Sequence, residues 1–297
     1  MRILITGGTG LIGQAVIKRW ASIHQLTVLT RNVERANTLL SNPAIRLIEH
    51  LSQINFNELD AIVNLAGEPI ANKKWSNTQK ERICHSRWQL TAQLSQLINE
   101  AEKPPHTFIS GSAIGYYGRQ GEEKIDESYT AIHQEFTHHV CEQWESIALN
   151  AAEKTRVCLL RTGIVLSNNG GALVKMMLPF KLGAGAVIGS GNQIMSWIHV
   201  EDMVRIIDYA LTKDISGAIN ATAPTPINNR QFSKVLAKTL NRPCWFSLPA
   251  WLMKVILGEQ ADLVIFGQHV IPTKLHNHGF EFKYPTIEPA LQQILYH

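Results

Sequence analysis

The chain opens on an unbroken apolar run, Ile3, Leu4 and Ile5, then three glycines spaced three apart, Gly7, Gly10 and Gly13, then an amphipathic stretch ending at Trp20. Uniform apolarity predicts a parallel strand covered on both faces, and the 3.6-residue periodicity after it predicts a helix. The alternation recurs along the chain. "LTVLTRN", "IRLIEH", "DAIVNLAGEP", "HTFISGSAIGYYG" and "TRVCLLRTGIVLS" read as strands. "SNTQKERICHSRWQLTAQLSQLINEA", with Ser76 or Asn77 as cap, and "EFTHHVCEQWESIALNAAE" read as the helices between them. Strand and helix in this order predict an α/β fold built on a doubly wound parallel sheet.

After "LSNNGG" the pattern leaves the sheet, returns through "WIHVEDMV", and reaches a last core strand in "GAINATAP". "NNRQFSKVLAKTLNRP" reads as a helix with Asn229 as its cap. The expected division is a nucleotide-binding domain over 1–166, rejoined by 196–222, and a smaller α/β substrate lobe from 167–195 and 223–297. The apolar segment "PAWLMKVILGE" is too short to span a bilayer. It is expected to pack on the lobe or on a partner subunit, so a homodimer is one assembly that the sequence allows. His199 is expected as a hydrogen-bonded framework residue, although it is also a candidate base.

In a doubly wound sheet, ligands bind at the carboxyl ends of the strands. One edge therefore collects Gly7 to Gly13, Thr30 and Arg31, Leu65 to Gly67, Ser110 to Tyr117, and Arg161 to Gly163. The strand–glycine–helix order suits a dinucleotide. Gly7 permits the tight turn, Gly10 lets a pyrophosphate reach the backbone, and Gly13 lets helix and strand approach. The first helix turn, with Thr9, Leu11 and Ile12, offers N–H groups and a positive dipole end to phosphate. The second strand lacks the acidic residue that holds the ribose of NAD. Thr30 and Arg31 stand there, with Arg35 one turn on, and a guanidinium suits a 2′-phosphate. The expected cofactor is NADP. Ala66 and Gly67 are small enough for it to lie against the backbone.

On the helix containing "FTHHVCEQWE", Thr137, Cys141, Trp144 and Ala148 share one row facing the sheet. His138, Glu142 and Glu145 share another, expected to face water. Cys141 has three readings: an inert apolar residue, a residue shaping the cofactor pocket, or a reactive thiolate whose pKa Arg87 depresses. The spacing of His138, His139 and Cys141 supplies too few ligands for zinc, so no metal is expected.

Composition narrows the class. Of 297 residues, 45% are hydrophobic, and the net charge of +4 comes without a long basic run, so no nucleic-acid partner is expected. The four cysteines form no CxxC pair, which points to free thiols and a reducing cytoplasm. No signal-like or membrane-spanning run is seen, so no membrane partner is expected.

The motifs "TGGTGLIG", "NLAG", "SGSAIGYYG", "LLRTGIVL" and "WIHVEDMV" resemble the extended short-chain dehydrogenase/reductase superfamily, in its NAD-dependent epimerase/dehydratase group. "AGEPIANKKW", "KERICHSRW" and the tail "LGEQADLVIFGQHVIPTKLHNHGFEF" resemble an atypical branch labelled only as epimerase family proteins. The resemblance implies a Rossmann fold, NAD(P), and a catalytic set of tyrosine, a lysine four residues on, serine, and asparagine. Ser112 matches the serine. By register Thr137 stands for the tyrosine; Cys141 stands for the lysine and Arg87 for the asparagine, as in the atypical branch. The superfamily's proton transfer therefore does not carry over whole. Tyr116 and Tyr117 are the nearest phenols, as proton donors or as packing. Arg87 is a candidate for holding an oxyanion or anionic substrate, or for a structural salt bridge.

The expected function is an NADP-dependent oxidoreductase or epimerase acting on a small molecule. The alternative is a non-catalytic NADPH-binding regulatory protein.

Overall fold

Seven strands form the central sheet of the computed structural model, which describes residues 1–296. They are β1 (Arg2–Thr6), β2 (Gln25–Leu29), β3 (Arg46–Ile48), β4 (Ala61–Asn64), β5 (Thr107–Ala113), β6 (Arg156–Thr162) and β7 (Gly217–Ala221). The sheet order is β7-β6-β5-β4-β1-β2-β3, and every pairing is parallel. The register places Thr6 beside Leu29 and Asn64, Asn64 beside Ser110, and Ala113 beside Thr162. The carboxyl ends of β1, β2, β4, β5 and β6 therefore form one edge.

Alternation along each strand divides the core between the two faces. Ile3, Ile5, Val63, Ile109 and Leu160 pack toward helices α1 (Leu11–Trp20) and, further along the chain, α6 (Val200–Thr212). Leu4, Ile62, Phe108 and Leu159 pack on the opposite face, where α3 (Asn77–Glu100) contributes Leu94 and Ile98 and α4 (Phe136–Leu149) contributes Ala148. Both faces are covered, which is why these strands read as continuous apolar runs. Helix α2 (Val33–Leu40) follows β2 and is capped by Asn32, whose side chain accepts from the Arg35 N–H at 2.7 Å.

A separate cluster gathers α5 (Gly171–Lys181), α7 (Asn229–Thr239) and the helix Ile287–Tyr296, through Leu173, Met177, Phe232 and Leu291, around Trp197. Ser76 caps α3, accepting from the Gln79 N–H at 3.2 Å. The cap of α7 is Asn228 rather than Asn229; it forms a capping box with Gln231, while Asn229 is buried one residue inside the helix. His199 is framework. It caps α6 through the Glu201 N–H at 3.0 Å, and its other ring nitrogen meets Gln293 at 2.8 Å. Helix α8 (Ala250–Leu257) buries no residue, and Trp251, Val255 and Ile256 are exposed, so packing within its own chain does not cover its apolar face. Among the described residues, no helix is long and apolar enough to cross a membrane.

Candidate functional site

The glycine loop has the geometry a phosphate needs. Gly7 has φ +69°, and a Cβ there would lie 2.6 Å from the Leu65 carbonyl. At Gly13 a Cβ would come within 2.3 Å of the Gly7 oxygen, so glycine there permits helix and strand to touch. Gly10 differs. It is exposed, and its Cβ would meet only the Gly7 oxygen, at 3.2 Å. Nothing in the packing of the chain demands a bare backbone at that point. Gly10 also caps α1 without a side-chain hydrogen bond, and no acidic residue lies in the first turn. The helix start, with Leu11 and Ile12, thus keeps its N–H groups and positive dipole end available to an anion. Thr9 is held by Gln14, whose amide donates to its carbonyl at 2.7 Å.

Past the end of β2, Arg31 and Arg35 are exposed, and neither makes an ion pair among the described residues. Thr30 turns its hydroxyl to the Asn32 carbonyl at 3.2 Å. Two guanidiniums at this strand end, neither paired with the neighbouring Glu34 in the first turn of α2, fit a phosphate on the ribose. The glycine loop and this pair together fit a phosphorylated dinucleotide.

A buried polar chain ties the strand ends to the helices. Thr6 donates to Asn64 at 2.7 Å, Asn64 to Thr91 at 2.9 Å, and the Trp144 indole to Thr91 at 2.9 Å. Ser110 is fully buried within this network, 3.4 Å from the Asn64 amide. Leu65 and Ala66 are half-buried, with the Ala66 N–H on Thr6 at 3.3 Å.

The α4 helix departs from the sequence reading at two positions. Thr137, Cys141, Trp144 and Ala148 are buried as expected, but His138 and Glu145 are buried too. Only Glu142 of that row is exposed. His138 reaches the Tyr116 carbonyl at 2.6 Å. Glu145 is held by Arg161 through two hydrogen bonds, at 2.9 and 2.8 Å, and accepts from Ser112 at 2.6 Å. The helix lies between α3, β5 and the turn at Ile114–Tyr117, so two of its faces are covered. Glu145 is the residue the sequence reading missed. The available signal was Arg161, a cation inside an apolar strand that needs a buried partner.

Arg161 was expected against the cofactor. Its guanidinium instead pairs with Glu145, donates to the Tyr117 hydroxyl at 3.0 Å, and stacks on the Tyr116 ring at 3.5 Å. Gly163 is explained by packing, because a Cβ there would lie 2.5 Å from the Ser196 carbonyl. Tyr117 is fully buried, and its hydroxyl also bonds Asn220 at 2.8 Å. Burial pushes its pKa up to about 12, so it is a poor proton donor at neutral pH. Tyr116 is half-buried, and its hydroxyl makes no hydrogen bond among the described residues, which leaves it the available phenol.

Cys141 is buried beside Ser112 and Ala113, and burial, reinforced by Glu145, pushes its pKa up to about 11 despite the opposing Arg87. The thiol is therefore neutral at physiological pH, as the inert and pocket-shaping readings require. Arg87 makes no ion pair among the described residues, so the salt-bridge reading fails. A Cβ at Gly67 would lie 2.8 Å from the Arg87 Cζ, so glycine there lets the guanidinium keep this position. Among the described residues, no cluster of three or more potential metal ligands occurs.

Comparison with known proteins places this geometry. The model of the NAD dependent epimerase/dehydratase family matches residues 3–221, and that of a domain of unknown function, DUF1731, matches 248–294. The chain is 39% identical to the chloroplastic epimerase family protein SDR39U1 homolog of Arabidopsis thaliana, over 99% of this chain and 87% of that one. It is 32% identical to the Homo sapiens epimerase family protein SDR39U1, over 99% and 100%. A crystal structure of the human protein with NADPH superposes with a TM-score of 0.91, covering 99% of both chains. A nucleoside-diphosphate sugar epimerase from Corynebacterium glutamicum, 29% identical, gives 0.79 over 99% of this chain and 58% of that one.

Proposed function

The chain belongs to the NAD dependent epimerase/dehydratase family, and from that membership we propose an NADP-dependent oxidoreductase or epimerase that acts on a small molecule without the superfamily's Tyr–Lys pair. The observation that carries this reading is the open Gly10 beside an uncapped helix start, with Arg31 and Arg35 free of ion pairs at the neighbouring strand end. NADPH bound to the human relative supports it. Gly7 to Gly13 would hold the pyrophosphate, Arg31 and Arg35 the 2′-phosphate, and Ala66 and Gly67 the ribose beyond it. When bound, the cofactor supplies hydride chemistry.

The chain's own residues would do the rest. Ser112 donates its hydrogen bond to Glu145 and so would accept, through its lone pairs, from a substrate hydroxyl. Arg87, with Nε and Nη2 unpaired among the described residues, supplies N–H donors for an anionic group of the substrate. Tyr116 is the phenol available to move a proton. The substrate would lie between the body formed by 1–166 with 196–222 and the lobe formed by 167–195 and 223–297. The four free cysteines suit a reducing compartment such as the cytoplasm.

One observation favours a second reading, a non-catalytic NADPH-binding regulator: Thr137 and the neutral Cys141 occupy the positions of the acid and its lysine. Incubation of the protein with NADPH and a panel of carbonyl compounds and nucleotide sugars, followed at the nicotinamide absorbance, separates the two. Turnover above that of a Ser112→Ala variant supports the enzyme. Tight NADPH binding with no turnover across the panel supports the regulator.

A further inference from the structure

We propose that Arg87 receives a carboxylate of the substrate, so that the substrate class is a small carboxylic acid bearing a carbonyl or hydroxyl group. The proposal rests on the reading of this edge as an NADP-dependent site and adds the chemistry of its second ligand.

Arg87 sits on α3 between Ile83 and Thr91, one turn away on either side, and both are fully buried. Its side chain therefore points inward, toward the carboxyl end of β4. One edge of the guanidinium is anchored, with Nη1 donating to the Ile83 carbonyl at 2.9 Å and lying 3.5 Å from the Ser86 hydroxyl. One face lies over the Trp144 ring, at 5.2 Å. The Nε and Nη2 donors make no hydrogen bond among the described residues. A Cβ at Gly67 would lie 2.8 Å from Cζ, 3.1 Å from Nη2 and 3.2 Å from Nε, so glycine there lets the backbone approach the guanidinium from its face and leaves the Nε–Nη2 edge to a ligand.

The other inward-facing guanidiniums show what a satisfied one looks like in this chain. Arg161 pairs with Glu145 at 2.8 Å. Arg156 donates to the carbonyls of Ala210, Ile215 and Leu211 and to the Thr107 hydroxyl. Arg87 has neither a carboxylate nor a set of carbonyls. The acid next to Gly67, Glu68, makes its side-chain contact with the Gln79 amide at 3.3 Å and favours the charged guanidinium only from beyond ion-pair distance. The two thiols near the guanidinium do not neutralise it, because burial pushes both Cys84 and Cys141 upward. A positive charge drawn this far from water is retained where a counter-charge arrives.

The shape of the free edge selects the anion. Nε and Nη2 are coplanar and parallel, a two-donor fork that matches the two oxygens of a carboxylate. The phosphates of a dinucleotide would be taken at Gly10 and Arg31, on other strand ends. Ser112 stands on the neighbouring β5, and Cys141 touches Ser112 and feels the charge of Arg87. A carboxylate on the fork therefore sets the rest of a small substrate beside Ser112.

Calorimetric titration of oxamate, a small carboxylate with an adjacent carbonyl, into the NADPH-loaded protein tests this. Oxamide, its neutral counterpart, and inorganic phosphate form the control arms. Oxamate should bind, oxamide and phosphate should bind at least about tenfold more weakly, and Arg87→Ala should weaken oxamate by about tenfold or more. The same variant should keep NADPH affinity within about threefold, and Arg87→Lys should retain part of the oxamate binding. Circular dichroism of both variants establishes that they fold, and if Arg87→Ala does not, Arg87→Lys and the oxamide arm decide. Equal binding of oxamate and oxamide, or preference for phosphate, overturns the proposal. So does oxamate binding that survives Arg87→Ala, no oxamate binding by the parent, or a loss of NADPH affinity matching the loss of oxamate. Failure of NADPH to bind the parent protein would sink the cofactor reading instead, and oxamate titrated into the cofactor-free protein still reads Arg87 by itself.

Discussion

Ser112 on β5 donates its hydroxyl proton to Glu145 on α4, with Oγ 2.6 Å from Oε1. The same carboxylate is clamped by Arg161, and both charged side chains are only 6% exposed. Ser112 is thus oriented by a buried ion pair that joins β5, α4 and β6. A serine with its proton committed in this way acts first as an acceptor. This separates the site from one in which a free serine hydroxyl donates to a carbonyl.

The ion pair should be costly to break on one side. Glu145→Gln leaves the Arg161 charge buried without its counter-ion and should lower unfolding stability by about 3–5 kcal/mol. The double change Glu145→Gln with Arg161→Met removes that charge and should recover most of the loss. Chemical denaturation of the three proteins checks this. Equal stability of parent and Glu145→Gln would show that the pair carries no such weight.

Arg31 should set the choice of cofactor. A charge-assisted bond from its guanidinium to a 2′-phosphate is worth roughly 1.5–3 kcal/mol. Arg31→Ala should weaken NADPH by about tenfold or more and leave NADH nearly unchanged, as read by fluorescence titration. The same loss for both nucleotides would refute the assignment.

The glycines should separate by function. Gly10 has ordinary extended backbone, and a Cβ there would meet only the Gly7 oxygen at 3.2 Å, which a small shift relieves, so Gly10→Val should keep the fold and abolish NADPH binding. Gly13 lies 2.3 Å, measured from its absent Cβ, from the Gly7 oxygen, so Gly13→Ala should destabilise the protein as well. Thermal melting and calorimetry on the two variants report the contrast. A Gly10→Val protein that binds NADPH normally would place the cofactor elsewhere.

The pH dependence follows from two buried thiols. Burial raises Cys141 and Cys158 from 9.0 to about 11. A group whose folded pKa is raised contributes stability that is complete below its unfolded pKa and lost as pH climbs through the folded value. Stability should therefore fall between pH 9 and 11, by on the order of 2–3 kcal/mol per thiol. Cys141→Ser should flatten part of that fall and keep any activity within about tenfold of the parent. Alkylation of Cys141 should be slow at neutral pH, with or without NADPH. Rapid labelling with an apparent pKa well under 8.5, blocked by NADPH, would instead establish a reactive thiolate.

The amino-acid sequence by itself determined the parallel sheet, its order of elements and the glycine loop. These rest on local physics. Apolar runs such as Ile3 to Ile5 are strands covered on both sides, and a positive φ at Gly7 is a property of one residue in one turn. Family motifs are likewise contiguous, which is why the resemblance was legible from Ile3 to the tail. The lining of the site depended on contacts far apart in the chain. Glu145 looked wet because helical periodicity assumes a single covered face, whereas α4 is enclosed by α3, β5 and the turn at Tyr116 and Tyr117. Arg161 and Gly163 end a strand, and their partners within the chain, Glu145 and Ser196, could not be read from that position alone. The approach of Arg87 to Gly67, 20 residues away in sequence and 2.8 Å from the Cβ that the glycine lacks, was likewise invisible in the sequence. Charge pairing and close approach are properties of space, and only the folded chain fixes which charges meet.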